Sequence, residues 1–271
     1  MQPVGILPAY RTAARVLFRN LPLLVVYAVV VGGLGSALAQ LVSETSVSMY
    51  TGGKAASMAD KGALVAGEIP RMIFWTFWQG LVGALGASAS IYFWFQDAKG
   101  GTVSFRESLN YALNRFSRVG RAHLKAFAIV FWGGQLFIPG LLFGLQFAFV
   151  DAVATLDERE ASPLDRSRVL TRGRRGALAR ALVPAALWWI GYQLLFGFVL
   201  KDAGYLYSTL GGAADHMVNA FMDVVMAQLF VEEVRRRIAL ADRKKAAAQP
   251  AAETPDAAPA SGSPAPDGAA G

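Results

Sequence analysis

The sequence predicts an all-α fold, a polytopic membrane bundle of six transmembrane helices with amphipathic helices on its inner face. Three observations predict it. The chain is 54% apolar and only 17% charged, against about 25% charged in soluble domains. Its basic residues gather in the segments that separate apolar runs. One apolar run, residues 126–156, is interrupted at its middle by Pro139-Gly140. That run exceeds the about 20 residues of one span and falls short of the about 40 of two. As a single helix it would place two arginine-rich segments on opposite sides of a bilayer. As a hairpin it keeps both on one side, as the positive-inside rule requires. Proline cannot supply the N–H of a continuing helix, and glycine tolerates turn geometry.

Residues 8–20 predict a short amphipathic helix, with Arg11, Arg15 and Arg19 at i, i+4, i+8 on one basic stripe at headgroup level. Span one covers residues 21–42. A secretory signal is the alternative there: a basic n-region, an apolar stretch over 21–34, and Ala37-Leu38-Ala39 as a cleavage site. The long n-region and the apolar residues beyond Ala39 favour an uncleaved span. Residues 43–70 read as a polar outer loop. Span two covers 72–96, with Trp75, Phe77 and Trp78 at one end and Tyr92 to Phe95 at the other. Gly80, Ala84 and Ser88, and also Gly83 and Ala87, follow small-xxx-small spacing and predict close helix approach inside the bundle.

Ser104 and Glu107 form a capping box that opens an inner-face helix through Ser117. Spans three and four cover 121–138 and 141–156. Ser162 and Pro163 are the N-cap and first residue of a second inner-face helix, which ends at Thr171-Arg172-Gly173. Spans five and six cover 181–200 and 213–231. The domain reading is therefore a basic N-terminal helix over 1–20, a membrane domain over 21–245, and a disordered Ala/Pro-rich tail over 246–271. Inner segments hold 22 of the 26 Lys/Arg; Lys54, Lys61, Arg71 and Lys201 fall outside. This bias puts both termini on the cytoplasmic side of a bacterial inner membrane.

The net charge of +7 does not imply nucleic acid, because the basic residues flank apolar spans. The chain has no cysteine, which excludes disulfides and thiol chemistry. No phosphate-binding glycine loop occurs. His123 and His216, the two histidines, are expected on opposite membrane faces, so no metal site and no cofactor are expected. Intramembrane ionisable groups are the default functional candidates. They are Asp151 in span four, and His216 and Asp223 in span six. Asp151 is expected to meet Arg166 or Arg168, and Asp223 to face inward near Gln193 or Gln146. The span amides Gln79, Gln135, Gln146, Gln193, Asn219 and Gln228 suit interhelical hydrogen bonds. Arg172, Arg174 and Arg175 are candidates for binding lipid headgroups. The cluster Asp157, Glu158, Arg159, Glu160 reads as a solvated helix entry.

Several segments together resemble a known group. They are residues 103–109, then Ile138-Pro139-Gly140-Leu141, then Asp157 with residues 163–167 and Gly173, and finally residues 230–235. The pattern resembles the membrane domain of glycerophosphoryl diester phosphodiesterases and the YciC-like uncharacterised bacterial membrane proteins. The resemblance implies six spans and a membrane location. It implies no phosphodiesterase activity, because no soluble catalytic domain follows span six. The expected function is a non-enzymatic inner-membrane protein with a scaffold, regulatory or envelope-homeostasis role. The alternative is a transporter or permease subunit using Asp223 and Asp151. An enzyme acting on lipid phosphates through Asp157, Glu158 and the inner arginines is less favoured, since no nucleophile–base pair is evident. Expected partners are membrane lipids, with anionic headgroups on the cytoplasmic face, and either another membrane protein or a second copy of this chain.

Overall fold

The structure, a computed structural model, describes residues 6–53, 61–134, 136, 138–157, 161–195 and 204–248. Among these residues the fold is all-α, with no strand. Two helical stretches, Leu21–Thr51 and Ile138–Leu156, are long and apolar enough to cross a membrane. The chain divides into two compact units, Met1–Val234 and Arg235–Gly271. In the second, residues 241–246 form an exposed helical stretch that includes Arg243, Lys244 and Lys245.

Helix α1 (Ile6–Arg19) buries Ala9, Ala13, Val16 and Leu17. Its basic stripe is not left to the lipid surface alone. Arg15 and Arg19 both pair with Asp97, at 3.3 and 2.6 Å. The Tyr10 hydroxyl donates to the Ala181 carbonyl at 2.6 Å.

The first long stretch comprises α2 (Leu21–Tyr27), a π-helical segment (Ala28–Leu34) and α3 (Gly35–Thr51). A wider π turn frees a carbonyl from the regular ladder. The Trp78 indole donates to that of Val31 at 2.7 Å, and its ring lies where a Cβ on Gly35 would stand. Helix α3 ends at Gly52 and Gly53, both at positive φ, with the Gly53 N–H bonded to the Ser48 carbonyl. Glycine there relieves the left-handed strain of a helix end. The expected loop over 43–70 is therefore mostly helix, because serine- and threonine-rich turns here continue the ladder until the glycine pair stops it.

Helix α4 (Lys61–Asp97) packs against α3 and α5. Helix α5 (Phe105–Gly134) is continuous over 30 residues. It fuses the expected inner-face helix with span three, because Gly120, the one weak point between Ser117 and Arg121, is buried against the Phe116 ring and does not stop the helix. Its capping box forms: the Glu107 N–H bonds to Ser104 Oγ at 3.2 Å, and the Ser104 N–H returns to the Glu107 carboxylate at 3.0 Å.

The hairpin exists, but its turn sits earlier than Pro139-Gly140. Helix α5 stops at Gly134, and Pro139 lies in the first turn of α6 (Ile138–Phe147), where a missing N–H costs nothing. Gly140 is required for approach: a Cβ there would stand 2.3 Å from Gly134 Cα.

Span four is broken into α6 and α7 (Val150–Leu156). Neither proline nor glycine causes this break. The fully buried Ser167 of α8 (Pro163–Thr171) accepts the Phe149 N–H at 3.2 Å and donates to the Gln146 carbonyl at 2.8 Å. Thr171 also donates to Gln146, at 3.4 Å. An inserted hydroxyl is a recognised cause of a helix break. Helix α8 thus packs against α6 and α7. Its N-cap position is Ser162 as expected, though the Ser162 hydroxyl bonds the Asp165 carboxylate instead of a backbone N–H.

Helix α9 (Arg175–Leu194) follows the left-handed Gly173, and α10 (Gly204–Ala248) runs for 45 residues. Residues 249–271, most of the expected tail, lie outside the described residues. The main core joins Val16, Leu24, Val31, Ile91, Phe93, Val153, Leu170, Leu178 and Val224. Apolar side chains such as Val29, Val30, Ile73, Phe77, Leu187 and Ile190 point outward.

Candidate functional site

The small-residue face of α4 places the candidate site. Gly80 lies against Leu124 of α5, close enough that a Cβ would reach Leu124 Cδ1 at 2.2 Å. This approach lets the preceding residue of α5, His123, reach Gln79 and Gly83 of α4. His123 hydrogen-bonds the main chain of Gln79. Its Nδ1 meets Asp151 Oδ1 of α7 at 2.7 Å. An acceptor on each side of the ring matches an imidazolium, whose two nitrogens both donate.

Asp223 of α10 lies within electrostatic reach of both Asp151 and His123. It is half-buried. The His123 and Asp151 side chains keep 18% and 24% of their surface accessible. His216 of α10 completes the group. It is only 3% exposed and within electrostatic reach of His123. Its ring fills the space that a side chain on Gly86 would take, and its Cβ rests on Gly32. Its Nε2 is buried with no hydrogen-bond partner.

Several expectations change here. The two histidines do not occupy opposite faces. Gly83 and Gly86, about one helical turn apart on α4, receive one histidine each. Asp151 meets His123, not arginine; Arg166 pairs with Asp157 at 3.9 Å and Arg168 with Asp165 at 3.4 Å. Asp223 faces Asp151 and His123, not Gln146, and the Gln193 side chain lies outside the described residues. His123, the centre of the cluster, was not among the sequence candidates. Its signal was masked: it sits between Arg121 and Lys125, just ahead of the apolar run that begins at Ala126.

The headgroup candidates separate. Arg172 and Arg175 are exposed. Arg174 instead bonds Glu233, itself 2% exposed, at 2.9 Å. Of the acidic cluster, Asp157 accepts from Arg118 through its carbonyl, and residues 158–160 lie outside the described residues, as does Gln135. Among the amides, Gln228 receives the Trp94 indole at 3.4 Å and donates to Glu232 at 3.2 Å, while Asn219 donates to Asp215.

Chemically the cluster gathers groups that can each carry or lose a proton. Among the described residues no group of three or more His, Asp or Glu is placed to ligate a metal ion. No family model matches the chain, and no curated protein or solved structure is similar to it.

Proposed function

We propose that the chain is a non-enzymatic, multi-pass protein of the bacterial cytoplasmic membrane, with six spans and both termini cytoplasmic, and that it serves as a permease or transporter subunit. One observation carries the transport reading: two carboxylates and two imidazoles converge inside a bundle whose outward side chains are apolar. Each charge in such an interior costs several kcal/mol unless it is paired or wetted. A passive scaffold has no need of that cost. The charge asymmetry supports the topology, and so does the resemblance to the YciC-like proteins.

The second reading is a closed scaffold. It is favoured by the tight crossing of α10 over the first stretch, where a Cβ on Gly32 would stand 2.0 Å from the Gly212 carbonyl. Cysteine accessibility separates the two readings, because the chain has no cysteine of its own. In Asp223→Cys, a small charged thiosulfonate applied to intact vesicles is expected to label position 223 from one side. Labelling only after denaturation would remove the transport reading and leave the scaffold.

A further inference from the structure

Helices α9 and α10 meet their surroundings on different terms. The side chains that α9 turns outward include Val183, Leu187, Ile190 and Leu194, all suited to lipid. Over residues 211–231 of α10, every one of them described, a single residue is exposed, and it is Asn219. An amide turned toward hydrocarbon needs a polar partner or water.

Asn219 belongs to a stripe. Asp215 and Asp223 lie four residues to either side of it, which puts all three on one face of α10. Both carboxylates are half-buried. Asn219 Nδ2 donates to Asp215 Oδ2 at 3.2 Å, and the Trp188 indole of α9 donates to the same carboxylate. A carboxylate can accept about four hydrogen bonds, so these two donors do not fill it. The eight residues from Asp215 to Asp223 rise about 12 Å along the helix. The stripe therefore begins near the N-terminal end of span six. It ends where Asp223 comes within electrostatic reach of His123 and Asp151.

We infer that this face of α10 is a wetted entry to the cluster from the outer end of span six, and that it admits small cations. The inference rests on the transport reading and its topology, and adds to them a side and a charge. Lipid is the competing occupant of an exposed position. It suits the apolar face of α9, but not an amide between two carboxylates, because ionisable groups within a membrane face the interior or a water-filled cavity.

The neighbouring charges agree with a cation. Tyr192 of α9 lies within electrostatic reach of both Asp215 and Arg71 of α4. Arg71 would repel a cation at that end, but its Nε and Nη2 bond the Glu68 carboxylate at 3.1 and 2.6 Å, which offsets its charge. At the inner end, one imidazole faces two carboxylates.

Cysteine labelling in right-side-out and inside-out vesicles tests this. A thiol held in lipid stays protonated and reacts poorly, whereas a wetted one reacts as the thiolate. Asn219→Cys is expected to react with a trimethylammonium thiosulfonate from the outer side at least about tenfold faster than Leu187→Cys, which faces lipid, or Ala220→Cys, which is buried. Equal rates, or reaction from the cytoplasmic side alone, overturn the entry. The cationic reagent is expected to outpace a sulfonate thiosulfonate of similar size about threefold or more. That preference should fall in Asn219→Cys combined with Asp215→Asn. It should also fall in the single variant at about 1 M salt, where the screening length is about 3 Å. No preference for the cation overturns the charge assignment, whether or not the double variant folds. Labelling of Asp223→Cys without labelling of Asn219→Cys overturns this route and leaves transport standing. Labelling of Asn219→Cys without Asp223→Cys shows a wet face that stops short of the cluster, and overturns the entry as well.

Discussion

Two polar regions lie inside this bundle, and they are built on different terms. At the break between α6 and α7, every freed backbone group named above has a partner on α8: Ser167 takes the Phe149 N–H, and Ser167 and Thr171 serve the Gln146 carbonyl. At the meeting of α4, α5, α7 and α10, two carboxylates sit within reach of one paired histidine, and a second histidine has a nitrogen left over. The first region is neutral and complete. The second is charged and incomplete. A fully satisfied polar network rigidifies a core, whereas an incomplete one persists only when something other than stability selects it. The same contrast separates the cluster from the Arg174–Glu233 pair, in which a buried carboxylate meets a half-buried guanidinium at 2.9 Å.

The largest test of this contrast is at that closed pair. Arg174→Ala removes the guanidinium that meets Glu233, itself 2% exposed, at 2.9 Å. Removing one partner of a buried pair costs about 3–5 kcal/mol. The expected result is a large fall in the midpoint of thermal unfolding in detergent, partly recovered by the double change with Glu233→Gln. A small fall would show that the pair is wetter than its burial implies, and the contrast with the cluster would weaken.

The break between α6 and α7 should respond less. Ser167→Ala removes a hydroxyl that is both donor and acceptor, and strands the Phe149 N–H. The expected cost is about 1–3 kcal/mol, read in the same unfolding experiment. No loss of stability would show that the Phe149 N–H finds another partner. Ser167 is also a poor reporter of topology for the same reason, since it is fully buried.

How much of this was legible from the residues varies with the kind of signal. The capping box at Ser104 and Glu107, the N-cap position at Ser162 and the stop at Gly173 depend on neighbours within four residues, and each stands where the sequence puts it. The hairpin was legible as charge balance, but its turn was placed too late. Proline is as content in the first turn of a helix as in a turn before it, and the sequence does not choose between them. The break at Phe149 was not legible at all, because its cause, Ser167, is 18 residues away. The cluster was half legible. Asp151, His216 and Asp223 declared themselves as ionisable groups in apolar runs. Their meeting with His123 depends on how far α5 slides along the glycines of α4, which no local pattern fixes.

The last test changes stability least and bears hardest on the comparison. Asp223 shares its surroundings with Asp151, and both share one His123. Two like charges near a single cation repel, so an isosteric amide at one of them removes repulsion along with attraction. Asp223→Asn is therefore expected to leave the unfolding midpoint unchanged or slightly higher, unlike Arg174→Ala. Any transport that depends on the charge of position 223 should be lost with it, because an amide carries no ionisable proton. Stability gained where activity is lost is the mark of a site held against its own packing interest. If Asp223→Asn instead unfolds the protein as readily as Arg174→Ala, the carboxylate is a structural partner like Glu233. The two interior regions would then differ in charge alone, and the transport reading would lose the asymmetry on which it stands.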